Sequence, residues 1–308
     1  MWDKRGLIYT TPGSHEWNKT HAQVPVVDVL DDKLRIYFAT RNAEGKSNIS
    51  FIETAKDDPS KISLAASNAL LSFGKPGTFD DSGMMPSSII TVGDRKYLYY
   101  VGWTTRQTVP YQNAIGLAVS DDGGITFSRH SEGPVITVNH KEPYFSGTSF
   151  VIRESSLFRM WYLSCVGWEL FDEKYEPLYN IKYAESPDGI NWQQNAYVAI
   201  GLEGDEGGLV SASVVKRKGI YCMWYGKRKK SDYRNNLSNT YRIGYAESPD
   251  GRNWTRRDDL AGIDVSPSGW DSEMISYPYI VELSGKLMMF YNGNGFGRSG
   301  FGYAIWKD

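Results

Sequence analysis

Short alternations of apolar and polar residues recur along the chain, and one of them belongs to a repeated motif. YAESPDGINW occupies positions 183–192 and YAESPDGRNW occupies 245–254, an offset of 245 − 183 = 62 residues. A looser copy, LAVSDDGGITF, spans 117–127, and a truncated one, GYAIW, spans 302–306. In the full copies an alternating pattern leads through Ser-Pro-Asp-Gly to an aromatic residue, and Asp-Gly suits the positive φ of a hairpin turn. The motif therefore predicts a strand, a tight turn and a second strand whose aromatic residue packs between sheets.

Aligning the chain on this motif divides it into five similar units. Each unit has an apolar first strand, a short polar turn, an aromatic second strand, a longer polar loop, a third strand that carries the motif, a turn and a fourth strand. The first strands begin at Val24, Ser87, Ser149, Ala212 and Pro278. Four antiparallel strands per unit are typical of a propeller blade. The sequence thus predicts an all-β protein, a five-bladed β-propeller with residues 1–308 as a single domain. The last unit lacks a strand, and Arg5–Thr11 is predicted to supply it and close the ring, which would cover an open sheet edge.

Composition narrows the range of functions. The net charge of −2 does not favour binding to nucleic acid, and the absence of metal and nucleotide motifs predicts no cofactor. No stretch approaches the roughly 18 apolar residues of a membrane span, so no membrane partner is expected. The charged N-terminus lacks the apolar core of a secretory signal, which predicts a cytoplasmic protein, or a secreted one if a leader was trimmed. Cys165 and Cys222 lie in apolar runs and are predicted to be buried free thiols. The oligomeric state is left open.

Carboxylates precede the first strand in four of the five units. Antiparallel pairing brings the start of the first strand and the end of the second strand to the same face, where propellers hold ligands. We predict that Asp81, Glu142, Glu206 and Glu273 point into one axial mouth. Cleavage of a glycosidic bond uses two carboxyl groups, so these residues are the catalytic candidates, with the acid/base pair expected among the three glutamates. The alternative is that each carboxylate serves a turn or faces solvent.

Other side chains are predicted at the same mouth. Tryptophan suits the apolar face of a sugar ring, and converging cations suit a carboxylate or phosphate on the ligand. The predicted substrate-binding residues are His21, Arg41, Trp103, Trp168, Lys227, Arg228, Asn292 and Asn294. The alternative to ligand binding for Lys227 and Arg228 is that they belong to a solvated basic loop. For His21 the alternative is a structural hydrogen bond.

The order of these features resembles a known group of enzymes. An acidic residue, a first strand with Pro or Ser, a second strand such as MFYNG and a GYAES turn ending in Trp are similar to the five-bladed propeller glycosidases. That group includes glycoside hydrolase families 43, 32 and 68 and the family 130 mannoside phosphorylases. The resemblance implies a propeller fold and activity on a glycan. The resemblance to family 43 implies catalytic carboxylates at the positions that Val24, Ser88 and Val210 occupy here. Because none of these three residues is a carboxylate, the sequence resembles a divergent branch of the group.

A second resemblance concerns one turn only. Ser120, Asp122, Gly124 and Thr126 match the spacing of the Asp-box turn of sialidases. In that family the turn is structural, and six blades are expected where this chain offers five. The Asp-box resemblance therefore implies a hairpin turn and gives no information about activity.

Two functions remain open on the sequence. The first is a glycan-active enzyme, in the first place a glycoside hydrolase or a related phosphorylase or transferase, whose sugar is acidic or phosphorylated if the cations converge. The second is a carbohydrate-binding or scaffold propeller without catalysis. In both cases the partner is a carbohydrate or a sugar-containing small molecule. Two carboxylates about 5–9 Å apart across the mouth would favour hydrolysis, and scattered carboxylates would favour binding.

Overall fold

The computed structural model describes residues 1–307, and almost all of its regular structure is β-strand, as predicted. After β1 (Trp2–Tyr9) the polypeptide forms four antiparallel meanders of four strands each. These are β2–β5 (Thr20–Val29, Lys33–Arg41, Ser47–Ala55, Ile62–Ala65), β6–β9 (Gly83–Val92, Arg95–Thr105, Tyr111–Ser120, Ser128–Arg129), β10–β13 (Ser146–Glu154, Leu157–Phe171, Lys174–Ser186, Gln193–Ile200) and β14–β17 (Glu206–Arg217, Ile220–Lys229, Arg242–Ser248, Thr255–Arg256).

The two ends of the polypeptide share the remaining sheet. β18 (Ser276–Leu283), β19 (Lys286–Asn292) and β20 (Phe301–Trp306) form a meander, and β1 pairs antiparallel with β20, with Trp2 opposite Trp306. The observed strand begins three residues before the predicted Arg5–Thr11. Two short elements lie in this part of the sequence: a 3₁₀ turn at Asp258–Leu260 and a helical turn at Asn294–Gly297. Neither is long and apolar enough to cross a membrane.

The first strands of the five groups lie against one another in sequence order. β2 contacts β6, β6 contacts β10, β10 contacts β14 and β14 contacts β18, and β18 returns to β2. Their inner ends are joined by side chains: Thr148 accepts a hydrogen bond from the Ser211 N–H (2.9 Å), and Ser213 accepts one from the Ile280 N–H (2.8 Å). The apolar residues between the sheets form the core, and it includes the buried free thiols of Cys165 and Cys222, as predicted.

The repeated turn motif is structural, and it links neighbouring groups. Within the motif, Ser186 accepts a hydrogen bond from the Gly189 N–H (2.9 Å) and Asp188 accepts one from the Ile190 N–H (2.8 Å). The carbonyl of Gly189 then accepts a hydrogen bond from the hydroxyl of Tyr99, on the second strand of the preceding group (2.8 Å). Equivalent hydrogen bonds occur in the neighbouring groups, where the hydroxyl of Tyr37 donates to the Gly124 carbonyl and the indole N–H of Trp161 donates to the Gly251 carbonyl.

The aromatic residue that ends each full motif packs on the preceding group. Trp192 lies edge-on to Tyr99 and Trp254 lies edge-on to Trp161. Both tryptophans therefore pack between neighbouring sheets, as the sequence predicts, although their burial is partial. Each indole also donates its Nε1–H to the carbonyl of the turn glycine (3.1 Å).

The N-terminal strand is anchored by Trp2, which gives a test of the pairing with β20. Trp2 is 5% exposed and lies edge-on to Trp224 (5.5 Å) and Trp306 (5.2 Å). Trp2→Ala should lower the free energy of unfolding by about 3–5 kcal/mol, because it empties a buried aromatic site. Chemical denaturation measures the change. The control is Tyr144→Ala, at a side chain that is 41% exposed, with an expected change of about 0.5 kcal/mol or less. Equal losses in the two variants would contradict the anchoring role.

Candidate functional site

The inner ends of the first strands depart from regular β structure. Val24, Ser211 and Tyr277 occupy equivalent places in three groups and have φ of 54°, 51° and 54°. Each lies at a register shift of its strand, which is the signature of a β-bulge. A positive φ is unusual for a residue other than glycine and is a strained conformation for a β-branched residue such as Val24. Bulges and strained backbone re-aim side chains, so these strand ends are candidates for a ligand site.

A cavity of about 390 Å³ opens at these strand ends. The register confirms the geometry expected from antiparallel pairing, since Thr20 lies opposite Arg41 and Gly83 lies opposite Trp103. All five groups contribute to the wall. The lining consists of His21, Gln23, Val24, Arg41, Met85, Val101, Trp103, Tyr111, Asn113, Phe145, Gly147, Thr148, Leu163, Tyr179, Val210, Tyr233, Arg234, Tyr241, Tyr277 and Phe296.

The charged groups in this wall are arginines. Arg41 donates to Gln23 Oε1 (3.0 Å) and forms no ion pair with a carboxylate of residues 1–307. Burial lowers the pKa of Arg41, and the nearby Arg234 adds to the effect. Arg234 is half-exposed and holds Glu176 in a bidentate pair (2.9 and 3.1 Å). The cavity therefore has one cation without a carboxylate partner and a second beside it.

A third arginine lies behind the wall. Arg228 is 2% exposed, donates to the hydroxyl of Tyr179 (3.0 Å) and to the Pro177 carbonyl (2.6 Å), and forms no ion pair in the described part of the sequence. Its guanidinium lies over the ring of Tyr233, 3.8 Å from the centroid. Burial opposes its charge, but the neighbouring tyrosine oxygens outweigh burial and raise the pKa of Arg228. The guanidinium is thus held charged by phenol and carbonyl oxygens.

Tyrosines form much of the cavity surface. The hydroxyl of Tyr179, which accepts from Arg228, is also in contact with the hydroxyl of Tyr241. Burial raises the pKa of Tyr241, and the neighbouring Tyr179 adds to this. Together with Trp103, these rings provide flat apolar faces edged by hydroxyl groups, which is the chemistry that a sugar ring requires.

His21 is the titratable base of the cavity. Its Nδ1 lies 2.8 Å from the hydroxyl of Thr20. Burial lowers the pKa of His21 to about 4, and the positive charges of Arg41 and Arg298 contribute to the shift. The imidazole is therefore neutral at neutral pH, and its ring N–H can donate a hydrogen bond to an anion.

The four predicted catalytic carboxylates are absent from the cavity lining, and this corrects the prediction that they meet in one mouth. Glu142 is buried among Tyr162, Ser164 and Lys182. Asp81 accepts the N–H of Gly77 in a surface turn (2.9 Å). The physical reason is that the Glu142 side chain finds fixed partners in its own sheet and the Asp81 side chain finds them in its own loop.

The other two carboxylates are also elsewhere. Glu206 forms a bidentate pair with Arg256 (2.7 and 2.6 Å), and Arg256 also binds Asp258 (2.6 Å). Glu273 is exposed, and only its backbone is engaged, with Asn294 and Arg242. Among residues 1–307 no pair of carboxylates faces the cavity, so the geometry that hydrolysis by two carboxyl groups requires is not present in the described lining.

The predicted binding residues divide into two sets. His21, Arg41 and Trp103 line the cavity, and Trp103 donates to Ser47 (2.7 Å). The remaining five are not in the lining: Trp168 packs behind Tyr111 and Phe145, Lys227 pairs with Asp258, Arg228 is buried, Asn292 binds the Val24 N–H, and Asn294 binds the Glu273 N–H. The two asparagines hold backbone in place, and Lys227 belongs to the network of Glu206.

Sequence reasoning missed Arg234 and the tyrosines. The tyrosines carried little signal, because they are 21 of the 308 residues and most aromatic residues of a β protein belong to its core. Arg234 follows a basic run in a loop, where a solvated role is the usual expectation. Within residues 1–307 no group of three or more His, Cys, Asp or Glu side chains is arranged to hold a metal ion.

Comparison with solved structures defines the class of fold. The solved complex of BT0996 with RGII superposes with a TM-score of 0.71 at 18% identity, covering 98% of this protein and 91% of the BT0996 polypeptide. A thermostable family-43 glycoside hydrolase superposes with a TM-score of 0.65 at 16% identity, over 96% of this protein and 90% of its own length. The protein therefore has the propeller fold of the glycoside hydrolases, which confirms the resemblance seen in the sequence.

Comparison with curated sequences defines the family. Two proteins of Mycobacterium tuberculosis are each 36% identical over 309 residues, covering 100% of this chain and 99% of their own length. They are described as uncharacterized protein MT1551, of strain CDC 1551 / Oshkosh, and uncharacterized protein Rv1502, of strain ATCC 25618 / H37Rv. The chain belongs to the family of these mycobacterial proteins. No protein-family model matches it.

The environment of Glu142 predicts a role in stability. Its side chain is 2% exposed and is paired with Lys182, which is 7% exposed. Glu142→Gln should lower the free energy of unfolding by about 3–5 kcal/mol, because it leaves a buried ammonium group without its counter-ion. Glu273→Gln is the control and should change it by about 0.5 kcal/mol or less, since that side chain is exposed. Denaturant titration of both variants measures the difference, and an unaffected Glu142 variant would contradict the structural role.

The low pKa of His21 predicts a pH dependence. The unfolded chain binds a proton on this imidazole below about pH 6.5, whereas the folded chain does so only near pH 4. The unfolded state thus binds more protons between these values, so the stabilising contribution is complete above pH 6.5 and is lost as the pH falls from 6.5 to 4. NMR titration of the four histidines should find one imidazole still neutral at about pH 5.5, and that signal should be absent in His21→Gln. Four titrations near pH 6.5 would contradict the assignment.

Proposed function

We propose that the five antiparallel groups are the five blades of a single propeller domain, residues 1–308, with the N-terminal strand completing the last blade. The support is the sequence of contacts from β2 through β18 and back to β2, together with the pairing of β1 with β20. On this proposal the cavity at the strand ends is the axial mouth of the propeller.

We propose that this mouth binds a saccharide with a carboxylate or phosphate group. The observation that carries the proposal is the unpaired guanidinium of Arg41 in a cavity whose lining contains no Asp or Glu. A partly buried cation without a counter-ion is costly, and an anionic ligand would offset that cost through charge-assisted hydrogen bonds. Arg234 lies in the same wall and His21 can donate a hydrogen bond to the anion.

The rest of the lining suits the sugar ring of such a ligand. Trp103 and the tyrosines supply apolar faces, while Gln23, Asn113 and Thr148 supply hydrogen-bonding groups for hydroxyls. The volume of about 390 Å³ is in the range of small-molecule sites, roughly 300–1,000 Å³. The RGII complex of BT0996 has the same fold and is consistent with a carbohydrate ligand for this fold.

Two versions of this function differ in chemistry. A binding protein without catalysis is favoured by the absence of carboxylates from the cavity, since hydrolysis by two carboxyl groups needs both near the sugar. A glycan-active enzyme, of the phosphorylase or transferase kind, is favoured by His21, a neutral imidazole next to cations that could hold a phosphate. Incubation with a panel of glycosides and sugar phosphates, with and without inorganic phosphate, separates the two versions by product formation.

The charge preference has a direct test. Isothermal titration calorimetry with galacturonic acid, glucuronic acid, mannose 6-phosphate and neutral galactose should show tighter binding of a charged sugar. Arg41→Gln should weaken binding of that sugar by about 10- to 100-fold, the effect of losing a hydrogen bond to a charged group. The matched control is Arg217→Gln, at the outer end of β14, which should leave the affinity unchanged. Equal affinity for galactose, or an Arg41 variant that binds as the wild type does, would contradict the proposal.

A further inference from the structure

Two neighbouring hairpins extend beyond the others on the side of the cavity. β11 and β12 pair from Phe158 opposite Ser186 to Phe171 opposite Lys174, and the turn between them is the dipeptide Asp172–Glu173. The sequence predicted a longer polar loop at this point. Both turn residues have positive φ, 44° and 64°, as a two-residue hairpin turn requires. The tips of these strands lie at the ends that face the cavity, so the hairpin forms a raised wall there.

The second hairpin belongs to the preceding group. β7 and β8 remain paired to Thr105 opposite Tyr111, and residues 106–110 connect them. A groove of about 430 Å³ lies between the two hairpins. Tyr111 and Arg234 line both this groove and the cavity, so the two spaces share a wall. A ligand that leaves the cavity past Arg234 would enter the groove directly.

Like the cavity, the groove contains cations that form no ion pair with a carboxylate of residues 1–307. Arg106 and Lys174 lie on opposite hairpins, are both exposed, and form no ion pair within residues 1–307. Of the two carboxylates in the groove, Glu176 is occupied by Arg234 and by the hydroxyl of Tyr233 (2.6 Å). Free positive charge thus faces the groove from both sides, while one of its two negative charges is already paired.

The groove also offers an apolar surface. Tyr175 is 44% exposed although it lies within β12, and Pro110 lies on the connection of the other hairpin. The cavity likewise contains both an aromatic ring, Trp103, and a cation without a carboxylate partner, Arg41. The resemblance of the two sites suggests that they bind chemically similar units.

We propose that the groove between the two hairpins is a second subsite, which binds the next acidic sugar of an oligosaccharide whose first sugar occupies the cavity. This proposal rests on the function proposed above and specifies its ligand as an anionic oligosaccharide. Tyr175 stacks on the second sugar, and Arg106 and Lys174 contact its negative group. Arg234, at the shared wall, lies beside both units.

The experiment compares ligands of increasing length. Calorimetric titration of galacturonic acid, digalacturonic acid and trigalacturonic acid, and of an equivalent series of oligoglucuronates, measures the affinity for each length. The wild-type protein should bind the disaccharide at least about tenfold more tightly than the monosaccharide, a gain of about 1.4 kcal/mol. Tyr175→Ala and Lys174→Ala should reduce this ratio toward one and leave monosaccharide affinity unchanged, whereas Tyr175→Phe should retain it.

A matched control excludes a general effect of charge. Lys286 is exposed and forms no ion pair within residues 1–307. Like Lys174 it is the first residue after a two-residue turn, but its turn joins β18 to β19 and lies at the end of the sheet away from the cavity. Lys286→Ala should preserve the ratio. If charged monosaccharides bind but length has no effect, or if the groove variants keep the wild-type ratio, the subsite is refuted while the proposed function stands. If no charged saccharide of any length binds, both are refuted.

Discussion

The antiparallel pairing of β1 with β20 is the constraint on which the site depends. It joins the two ends of the polypeptide, and the first strands then contact one another from β2 to β18 and back to β2. The wall of the cavity is formed jointly, because every group contributes side chains from the inner ends of its strands. A loss of contact between β18 and β2 would move Tyr277 away from His21 and Arg41, so the stability of the fold and the geometry of the site are coupled.

Strained backbone and positively charged side chains without carboxylate partners occur at the same strand ends. Val24, Ser211 and Tyr277 have positive φ, and two of these conformations are held by side chains of neighbouring groups: Asn292 accepts the Val24 N–H (2.7 Å) and Thr148 accepts the Ser211 N–H (2.9 Å). Behind them, Arg228 is charged without a carboxylate and relies on Tyr179, Tyr233 and carbonyl groups. A propeller that needed only a stable core would gain nothing from either feature. Their coincidence at one cavity is the physical basis for treating it as a ligand site.

The sequence was sufficient to predict those parts of the fold that depend on residues close to one another in the sequence. The spacing of Ser186, Asp188 and Gly189 dictates a turn, and the offset between Tyr183 and Tyr245 dictates its repetition, so the strand pairs and the face of the site could be predicted. His21, Arg41 and Trp103 were expected at this face because antiparallel register assigns strand ends to one face, and all three line the cavity.

The carboxylates could not be placed in the same way. Glu142 lies upstream of a first strand and Glu206 is the first residue of one, and in both cases distant partners, Lys182 and Arg256, decide the direction of the side chain. Neither partner is adjacent in sequence, so position before a strand carried no information on where the side chain points. The turn at Asp172–Glu173 was missed for a related reason: a polar stretch was expected to be a loop, but cross-strand pairing extends it as a hairpin.

The central claim is that an anionic group of a saccharide binds next to Arg41. A crystal structure of the protein soaked with the tightest-binding acidic saccharide tests this most directly. We expect the carboxylate or phosphate oxygens within about 3 Å of the Arg41 guanidinium, with a sugar ring against Trp103 or a cavity tyrosine. A saccharide whose charged group points to solvent, or one that binds outside the cavity beside Glu206 and Asp258, would contradict the account.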